Sequence, residues 1–144
     1  AAHTHSIYGK AFSALGKTID MLSQDACMFY DDVALHVDGG GAIVMEKESG
    51  RKLAQTLGDK KAVIHQNHGL ITVGTSVDAA AWWYMALERC CQAQLLAEAA
   101  GPTVKVPDEY AKFTYQGSGA QMVGWFQFQP HYQEIARLEP DLFD

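Results

Sequence analysis

The chain has 144 residues, of which 48% are hydrophobic and 19% are charged, and its formal net charge at pH 7 is −6. These values are typical of one globular domain that is long enough to bury a sizeable core. The acidic balance and the lack of a basic cluster argue against nucleic acid as a partner. No apolar run reaches the roughly 18 residues needed to cross a bilayer, so we expect no membrane partner either.

The three cysteines are Cys27, Cys90 and Cys91. An odd number that includes an adjacent pair is a poor basis for a set of disulfides, so we expect reduced thiols and a cytoplasmic protein. The adjacent pair could be a metal or redox site. We favour core cysteines, because the pair falls inside a strongly predicted helix and free cysteine is a common small core residue.

The first third of the chain begins with a predicted strand over residues 1–6. A helix is predicted over 6–16, where apolar residues recur every three or four positions before a glycine. Residues 17–32 are mixed in character and are predicted to be rich in loops.

Two short β-rich runs follow, VALHV at 33–37 and GAIVM at 41–45, with DGGG at 38–41 between them. The glycines indicate a turn. Such a loop could also cradle a phosphate, but the strand–loop–helix pattern with a lysine is missing, so we favour the turn. An amphipathic helix is predicted over 46–59.

The strongest element is a helix predicted after two short strands, AVIHQ at 62–66 and LITVG at 70–74. It begins at a segment that resembles a capping box, Thr75 to Asp78, and its apolar residues keep a 3.6-residue period up to Gly101-Pro102. Further apolar residues, such as Trp82, lie off that stripe. A helix of this kind is buried on more than one side, and we interpret the second side as a subunit interface.

The spacing of the histidines suggests a metal-binding site. His3 and His5 are two positions apart in a predicted strand, so their side chains point to the same face and suit two adjacent ligands of a metal ion. His68 is the candidate third ligand, because it follows a strand and Gly69 allows the backbone to turn tightly there. The other interpretation is a chance pair among six histidines.

The remaining histidines have weaker signals. If the segment from 62 to 68 stays extended, His65 points to the opposite face from His68, and it is then structural or exposed. His36 and His131 have no partner by spacing, and we expect each to be an ordinary surface or core residue.

Three segments, HTHSIYGKAFSALG, AVIHQNHGLITVG and SVDAAAWWYMALERCCQAQLLAEA, together resemble the class II aldolase/adducin family over residues 1–101. The resemblance implies an α/β fold, a three-layer α/β/α sandwich around a mixed, mainly antiparallel sheet. It also implies a homotetramer with active sites between subunits.

The resemblance implies that His3, His5 and His68 bind a divalent metal ion, usually zinc. Manganese, cobalt and iron are the alternatives. The implied activity is that of an aldolase- or epimerase-type lyase acting on a small hydroxy-carbonyl compound such as a sugar phosphate. The metal would act there as a Lewis acid that stabilises an enediolate.

The family domain is longer than this chain, and its first part holds phosphate-binding loops and the acidic residue that transfers protons. The resemblance therefore implies one domain over 1–144 that is incomplete at its N-terminus, with the catalytic acid/base unassigned. Asp25, Asp31 and Asp32 lie in a predicted loop and could reach the site, although solvated loop acids are commoner.

The chain also departs from the family. Sugar-phosphate aldolases carry a tyrosine in the loop after the first helix, which acts across the subunit boundary. Here Gln24 stands near that place and Tyr30 lies a few residues away. We take Gln24 and Gly69 as candidate substrate-binding residues, and the departure argues against the well-known sugar phosphates.

Residues 102–144 form a C-terminal extension that we expect to pack on the domain or on a neighbouring subunit. A short helix is predicted near 107–115. The tail beyond it is rich in aromatic residues and could close over a neighbour's site, but we favour a docking role. Its aromatic residues are Trp125, Phe126, Phe128 and Tyr132.

Two alternative functions remain. A non-catalytic scaffold, as in the adducin branch, is disfavoured because that branch has lost the metal histidines and this chain retains them. A non-haem iron oxygenase on the same fold is the other, since imidazole suits iron as well as zinc.

Overall fold

The computed structural model describes residues 1–42 and 46–143, which form a mixed four-stranded sheet packed by helices. The strands are β1 (Ala2–Thr4), β2 (Val33–His36), β3 (Ala62–His65) and β4 (Gly69–Thr72), in the order β1-β4-β3-β2. β4 is antiparallel to both β1 and β3, whereas β2 and β3 are parallel. The predicted mixed, mainly antiparallel sheet is confirmed. The strand predicted at 41–45 falls largely on 43–45, outside the described residues.

The helices are α1 (Ile7–Ser13), α2 (Lys47–Leu57), α3 (Val77–Ala100), α4 (Asp108–Ser118) and α5 (Gln121–Leu138). Short 3-10 turns lie at Ala26–Phe29, Asp38–Gly41 and Pro140–Phe143. The first four helices were predicted, but α5 was not, because its sequence alternates aromatic and polar residues and contains Pro130. None of the described helices has both the length and the apolar character needed to span a membrane.

The core lies between α3 and the sheet. Leu87 of α3 and Ile64 of β3 are both fully buried. Phe12 of α1 is also fully buried, and α1 packs against β4. Ser76 rather than Thr75 caps α3, since its Oγ accepts a hydrogen bond from the backbone N–H of Ala79 at 3.1 Å. The predicted start of α3 is therefore correct to within one residue.

The second face of α3 is covered by α5 of the same chain. A Cβ at Gly124 would lie 2.7 Å from the indole ring of Trp83, so this glycine allows the two helices to approach closely. Gln129 of α5 donates a hydrogen bond to Asp78, and the rings of Trp82 and His131 lie 6.2 Å apart. The packing of α5 therefore accounts for the second apolar side of α3, and the subunit interface remains a prediction.

The cysteines are buried free thiols, as predicted. Burial raises the pKa of Cys90 to about 12 and raises the pKa of Cys91 further. Thiols held so firmly in the protonated form are poor nucleophiles and poor metal ligands. The adjacent pair therefore belongs to the core.

A buried ion pair joins β3 to the segment before β2. The Lys61 ammonium lies 3.2 Å from a carboxylate oxygen of Asp32, and both residues are less than 10% exposed. Asp32 also accepts hydrogen bonds from the backbone N–H of Lys61 and from the Tyr115 hydroxyl. Asp32, one of the acids considered for catalysis, is thus fully engaged in the structure.

The Lys61 ammonium also binds the backbone of two other elements. It donates to the carbonyl oxygens of Met28 and Gly119, and it lies 4.1 Å from the ring centroid of Trp83. Burial lowers the pKa of Lys61, and the charge of Asp32 opposes that shift. One ammonium group therefore ties the sheet to the 3-10 turn and to the α4–α5 junction.

Asp32→Asn is expected to destabilise the protein by about 3 kcal/mol, because it leaves the buried Lys61 ammonium without its carboxylate. The neighbouring pair Asp31–Lys60 provides a matched control. Its oxygen–nitrogen distance is similar, 3.1 Å, but the Asp31 side chain is 87% exposed. Asp31→Asn is expected to change stability by less than about 1 kcal/mol. Urea denaturation measures both, and equal losses would contradict the role given to burial.

Candidate metal centre

Three imidazoles meet at the edge of the sheet formed by β1. His3 lies on β1, His5 follows it, and His68 lies in the turn between β3 and β4. The ring centroid of His3 lies 5.2 Å from the centroid of His5 and 5.2 Å from that of His68. The centroids of His5 and His68 lie 4.8 Å apart. One nitrogen from each ring can be chosen such that all three lie within 4.8 Å of one another. The structure brings the three predicted ligands together.

The turn that carries His68 is shaped by its two neighbours. Asn67 has a φ of 59°, which is the left-handed conformation that asparagine tolerates better than most residues. Gly69 has a φ of 156°, and a Cβ there would lie 3.3 Å from the Thr4 carbonyl oxygen and 3.9 Å from the His3 ring. Gly69, a candidate substrate-binding residue, thus lets the turn approach β1 and the His3 side chain.

Backbone carbonyls set the tautomers of two rings. His3 Nδ1 lies 2.7 Å from the Leu70 carbonyl oxygen, and His68 Nδ1 lies 3.3 Å from that of Gly41. A carbonyl oxygen can only accept, so each Nδ1 is the donor, and Nε2 is the nitrogen whose lone pair the neutral ring offers to a metal. This is the outer-sphere arrangement that metal-binding histidines usually have.

The nitrogen separations suit a small divalent cation. His5 Nε2 and His68 Nε2 lie 3.1 Å apart. Two nitrogens bound to tetrahedral zinc at 2.0–2.1 Å would be about 3.3 Å apart. Partial desolvation, helped by the neighbouring rings of His68 and His3, lowers the pKa of His5 and so favours the neutral form that a ligand requires. The donor set therefore fits a divalent metal.

Two further histidine rings, His65 and His36, lie next to His68 in a row of ring contacts. The His65 ring is stacked on the His68 ring, with centroids 4.7 Å apart and planes 7° apart. His36 lies 4.9 Å from His65, and its Nδ1 is 2.9 Å from the Thr56 hydroxyl oxygen. Both rings are buried, and burial lowers the pKa of His65. Our expectation that His65 faces away from His68 was wrong, because the turn at Asn67 ends the extended segment.

Helix α3 fixes the backbone that carries His3 and His5. The Tyr84 hydroxyl donates a hydrogen bond to the Thr4 carbonyl oxygen at 2.8 Å, and it lies 2.8 Å from each of the Thr4 and Ser6 hydroxyl oxygens. Thr4 stands between the two histidines in sequence, so these contacts hold the relative position of the two rings.

One turn further along α3, Glu88 caps the N-terminus of α1. Its carboxylate accepts hydrogen bonds from the backbone N–H groups of Tyr8 and Gly9, and from the Ser6 hydroxyl. A Cβ at Gly9 would lie 2.9 Å from this carboxylate, so the glycine makes room for it. A negative charge at a helix N-terminus also interacts favourably with the helix dipole. We call Tyr84 and Glu88 the α3 clamp.

Sequence reasoning missed the α3 clamp. The available signal was Glu88 itself, an acid between Leu87 and Cys91 on the apolar stripe of α3. An ionised residue on a packed face requires a partner, and here the partners are backbone N–H groups.

The other predicted residues lie elsewhere. Gln24 and Asp25 line a cavity between α3 and α5 whose lining includes none of the three histidines. Asp31 pairs with Lys60, and Tyr30 donates a hydrogen bond to Asp108. Within the described residues, none of the acids considered for proton transfer joins the histidine group. Of the aromatic residues in the tail, Trp125, Phe126 and Tyr132 are exposed.

The fold and the site define an α/β domain with a candidate three-histidine metal centre. The sequence profile of the Class II Aldolase and Adducin N-terminal domain matches residues 1–95. The chain therefore belongs to the class II aldolase/adducin family, as its motifs predicted.

The individual relatives are named for different reactions. The chain is 43% identical to Decarboxylase NovR of Streptomyces niveus over 97% of this chain and 52% of that protein. It is 44% identical to 4-hydroxy-3-prenylphenylpyruvate oxygenase/4-hydroxy-3-prenylbenzoate synthase of Streptomyces roseochromogenus, over 97% of this chain and 50% of that protein. The chain thus spans about half the length of these relatives.

A solved structure supports the fold. L-fuculose 1-phosphate aldolase from Glaciozyma antarctica superposes with a TM-score of 0.85 at 47% identity, over 96% of this chain and 52% of that one. The predicted class of fold is confirmed by this match.

Glu88→Ala is expected to weaken zinc binding about tenfold, because it leaves the N–H groups at the start of α1 without acceptors and loosens the segment next to His5. Competition with a chromophoric chelator measures the affinity. Glu98→Ala is the matched control, since Glu98 lies on the same helix and binds Lys17 and Gln94 away from the histidines. Equal affinities in the Glu88→Ala variant and the parent protein would show that the α3 clamp does not position the ligands.

Proposed function

We propose that the protein is a divalent-metal-dependent enzyme that cleaves a carbon–carbon bond next to a carbonyl group in a small hydroxy-carbonyl or oxo-acid substrate. The observation that carries this proposal is the convergence of His3, His5 and His68, with the tautomers of two rings set by backbone carbonyls. Membership in a family that includes named enzymes supports it.

The chain's own residues would bind and orient the metal ion. Three imidazoles are neutral ligands, so the full charge of a bound divalent cation would remain available to the substrate. Such a cation acts as a Lewis acid that polarises substrate oxygens and lowers the energy of the negative charge left when the bond breaks. His3 and His5 are exposed, so the open side of the site faces solvent, where a substrate can enter.

The proposed substrate class covers both kinds of name found among the relatives. In retro-aldol cleavage the fragment that leaves is an aldehyde, and in decarboxylation of a 3-oxo acid it is carbon dioxide. In both of these reactions the electron pair of the broken bond stays on the carbon next to a carbonyl and is delocalised onto the carbonyl oxygen as an enolate. The absence of tyrosine at Gln24 argues against the well-known sugar phosphates, and the relative named for a phenylpyruvate oxygenase makes aromatic oxo acids a second group to test.

A second candidate is an oxygenase that uses iron at the same histidines. One relative with 44% identity is named an oxygenase, and imidazole ligands suit ferrous iron as well as zinc. A non-catalytic scaffold is less well supported, since retention and convergence of all three histidines have no role in it.

His68→Ala is expected to lower bound metal at least tenfold and to abolish substrate turnover, because two imidazoles hold a divalent cation poorly. Metal per chain is measured by elemental mass spectrometry of the intact protein. Turnover is measured with a ketose phosphate and an aryl-substituted oxo acid. His131→Ala is the control, as His131 packs between Trp82 and Phe128 on α5.

The outcomes separate the candidates. About one zinc, manganese or cobalt per chain, with turnover in the absence of oxygen, supports the lyase. Iron with substrate-dependent oxygen uptake supports the oxygenase. A folded parent protein that binds no metal would contradict both and favour the scaffold.

A further inference from the structure

The glycine-rich turn at Asp38–Gly41 follows β2 and lies beside the candidate metal centre. The predicted turn is therefore observed. Gly39, Gly40 and Gly41 all have left-handed backbone conformations, with φ values of 81°, 56° and 82°. Glycine adopts this conformation without the strain that a side chain would add. The backbone of the turn thus favours glycine at all three positions, but the surroundings of the three residues differ.

Gly41 packs tightly against the residue that precedes a candidate metal ligand. A Cβ at Gly41 would lie 2.7 Å from the Asn67 carbonyl oxygen and 2.9 Å from Asn67 Cβ, which is closer than Cβ contacts in folded proteins come. By contrast, a Cβ at Gly39 or Gly40 would meet no heavy atom of the described residues within 4 Å. Only at Gly41, therefore, does a close approach require the absence of a side chain.

This close approach matters for His68, the residue after Asn67. With the turn in this position, the Gly41 carbonyl oxygen lies 3.3 Å from His68 Nδ1. The distance is near the upper limit for a hydrogen bond, so a small outward shift of the turn would break the contact. A neutral imidazole without this partner can carry its proton on either nitrogen. A proton on Nε2 would occupy the lone pair that a metal ion needs at that nitrogen.

The same turn also contacts the ring that is stacked on His68. The His65 ring donates a hydrogen bond to the backbone of Asp38, and its plane lies 7° from that of His68 with centroids 4.7 Å apart. The Asp38 carboxylate lies 3.8 Å from the Lys52 ammonium of α2. The turn therefore supports His68 directly through Gly41 and indirectly through His65.

We propose that Gly41 is a positioning residue of the metal centre. Its lack of a side chain lets the turn approach Asn67 closely enough for the Gly41 carbonyl to hold His68 in the Nδ1–H form. The glycine-rich turn thereby serves a metal ligand and does not cradle a phosphate, which the Asp38 carboxylate would repel. This role rests on the metal centre proposed above, but it concerns the imidazole and not the reaction, so its first test needs no metal.

Gly41→Ala and Gly39→Ala form a matched pair, since φ is 82° at one glycine and 81° at the other. Both variants carry the same backbone strain, and only Gly41→Ala adds a clash with Asn67. The tautomer of His68 is read by long-range ¹H–¹⁵N NMR of the metal-free protein at about pH 8, where an ordinary imidazole is neutral. His68→Gln assigns the signals by their loss. We expect the Nδ1–H form in the parent protein and in Gly39→Ala, and mainly the Nε2–H form in Gly41→Ala.

Zinc affinity, measured by competition with a chromophoric chelator, is the second readout. Gly41→Ala is expected to bind zinc about tenfold more weakly than Gly39→Ala, because its His68 ring has lost the partner that orients it. If Gly41→Ala matches Gly39→Ala in both tautomer and affinity, the proposal is overturned. A parent protein that binds no zinc contradicts the proposed function, whereas the tautomer of His68 still decides the role of Gly41.

Hydrogen exchange of the parent protein gives a test that does not depend on the folding of Gly41→Ala. If the Gly41 carbonyl holds His68 in its metal-binding form, zinc bound to His68 must stabilise the turn in return. Zinc is therefore expected to slow amide exchange in peptides that cover residues 38–41 and to leave α4 unchanged, as measured by mass spectrometry. Exchange in the turn that is the same with and without bound zinc would overturn the proposal.

Discussion

The carboxylate of Glu88 holds the start of α1, directly after the segment that carries two of the three histidines of the candidate metal centre. β1 has only three residues and lies at the edge of the sheet, so pairing with β4 alone gives weak control over His3 and His5. Glu88 accepts hydrogen bonds from two backbone N–H groups of α1, while Tyr84 holds the carbonyl of Thr4. A long, well-packed helix thereby fixes a short, exposed strand. Precise ligand geometry on an exposed edge requires such support.

The buried pair of Lys61 and Asp32 has the corresponding role at the opposite side of the core. Its hydrogen bonds reach the 3-10 turn, the end of α4 and Tyr115. A carboxylate and an ammonium taken out of water are stable only if both are fully bonded, so this pair also fixes where α4 and α5 join the domain. The cavity lined by Gln24 and Asp25 is a consequence, because its walls come from the elements that the pair brings together.

The sequence predicted the parts of the site that follow from local rules. His3 follows from the predicted strand and His68 from a turn next to glycine, whereas His5 lies just beyond the end of β1 and still meets them. The placement of His65 failed because a single left-handed residue, Asn67, reversed the chain. The α3 clamp could not be predicted from spacing, since Glu88 and Gly9 are 79 residues apart and meet only when α3 packs on α1. α5 was missed because packing on Trp83, not an apolar period of its own, places it on the domain.

The three histidines explain why one fold can support several reactions. Neutral imidazoles can accept zinc, manganese or iron, and a metal held by them would fix where substrate oxygens bind without transferring the protons that each reaction needs. Among the described residues, no acid joins the histidine group, and two of the acids considered for proton transfer are engaged elsewhere: Asp32 with Lys61, Asp31 with Lys60. Within the part of the chain that the structure describes, the histidine group therefore has no acid of its own for proton transfer. Proteins similar to this chain carry names from aldol, decarboxylation and oxygenation chemistry, as expected if the reaction is chosen by groups outside the histidine cluster.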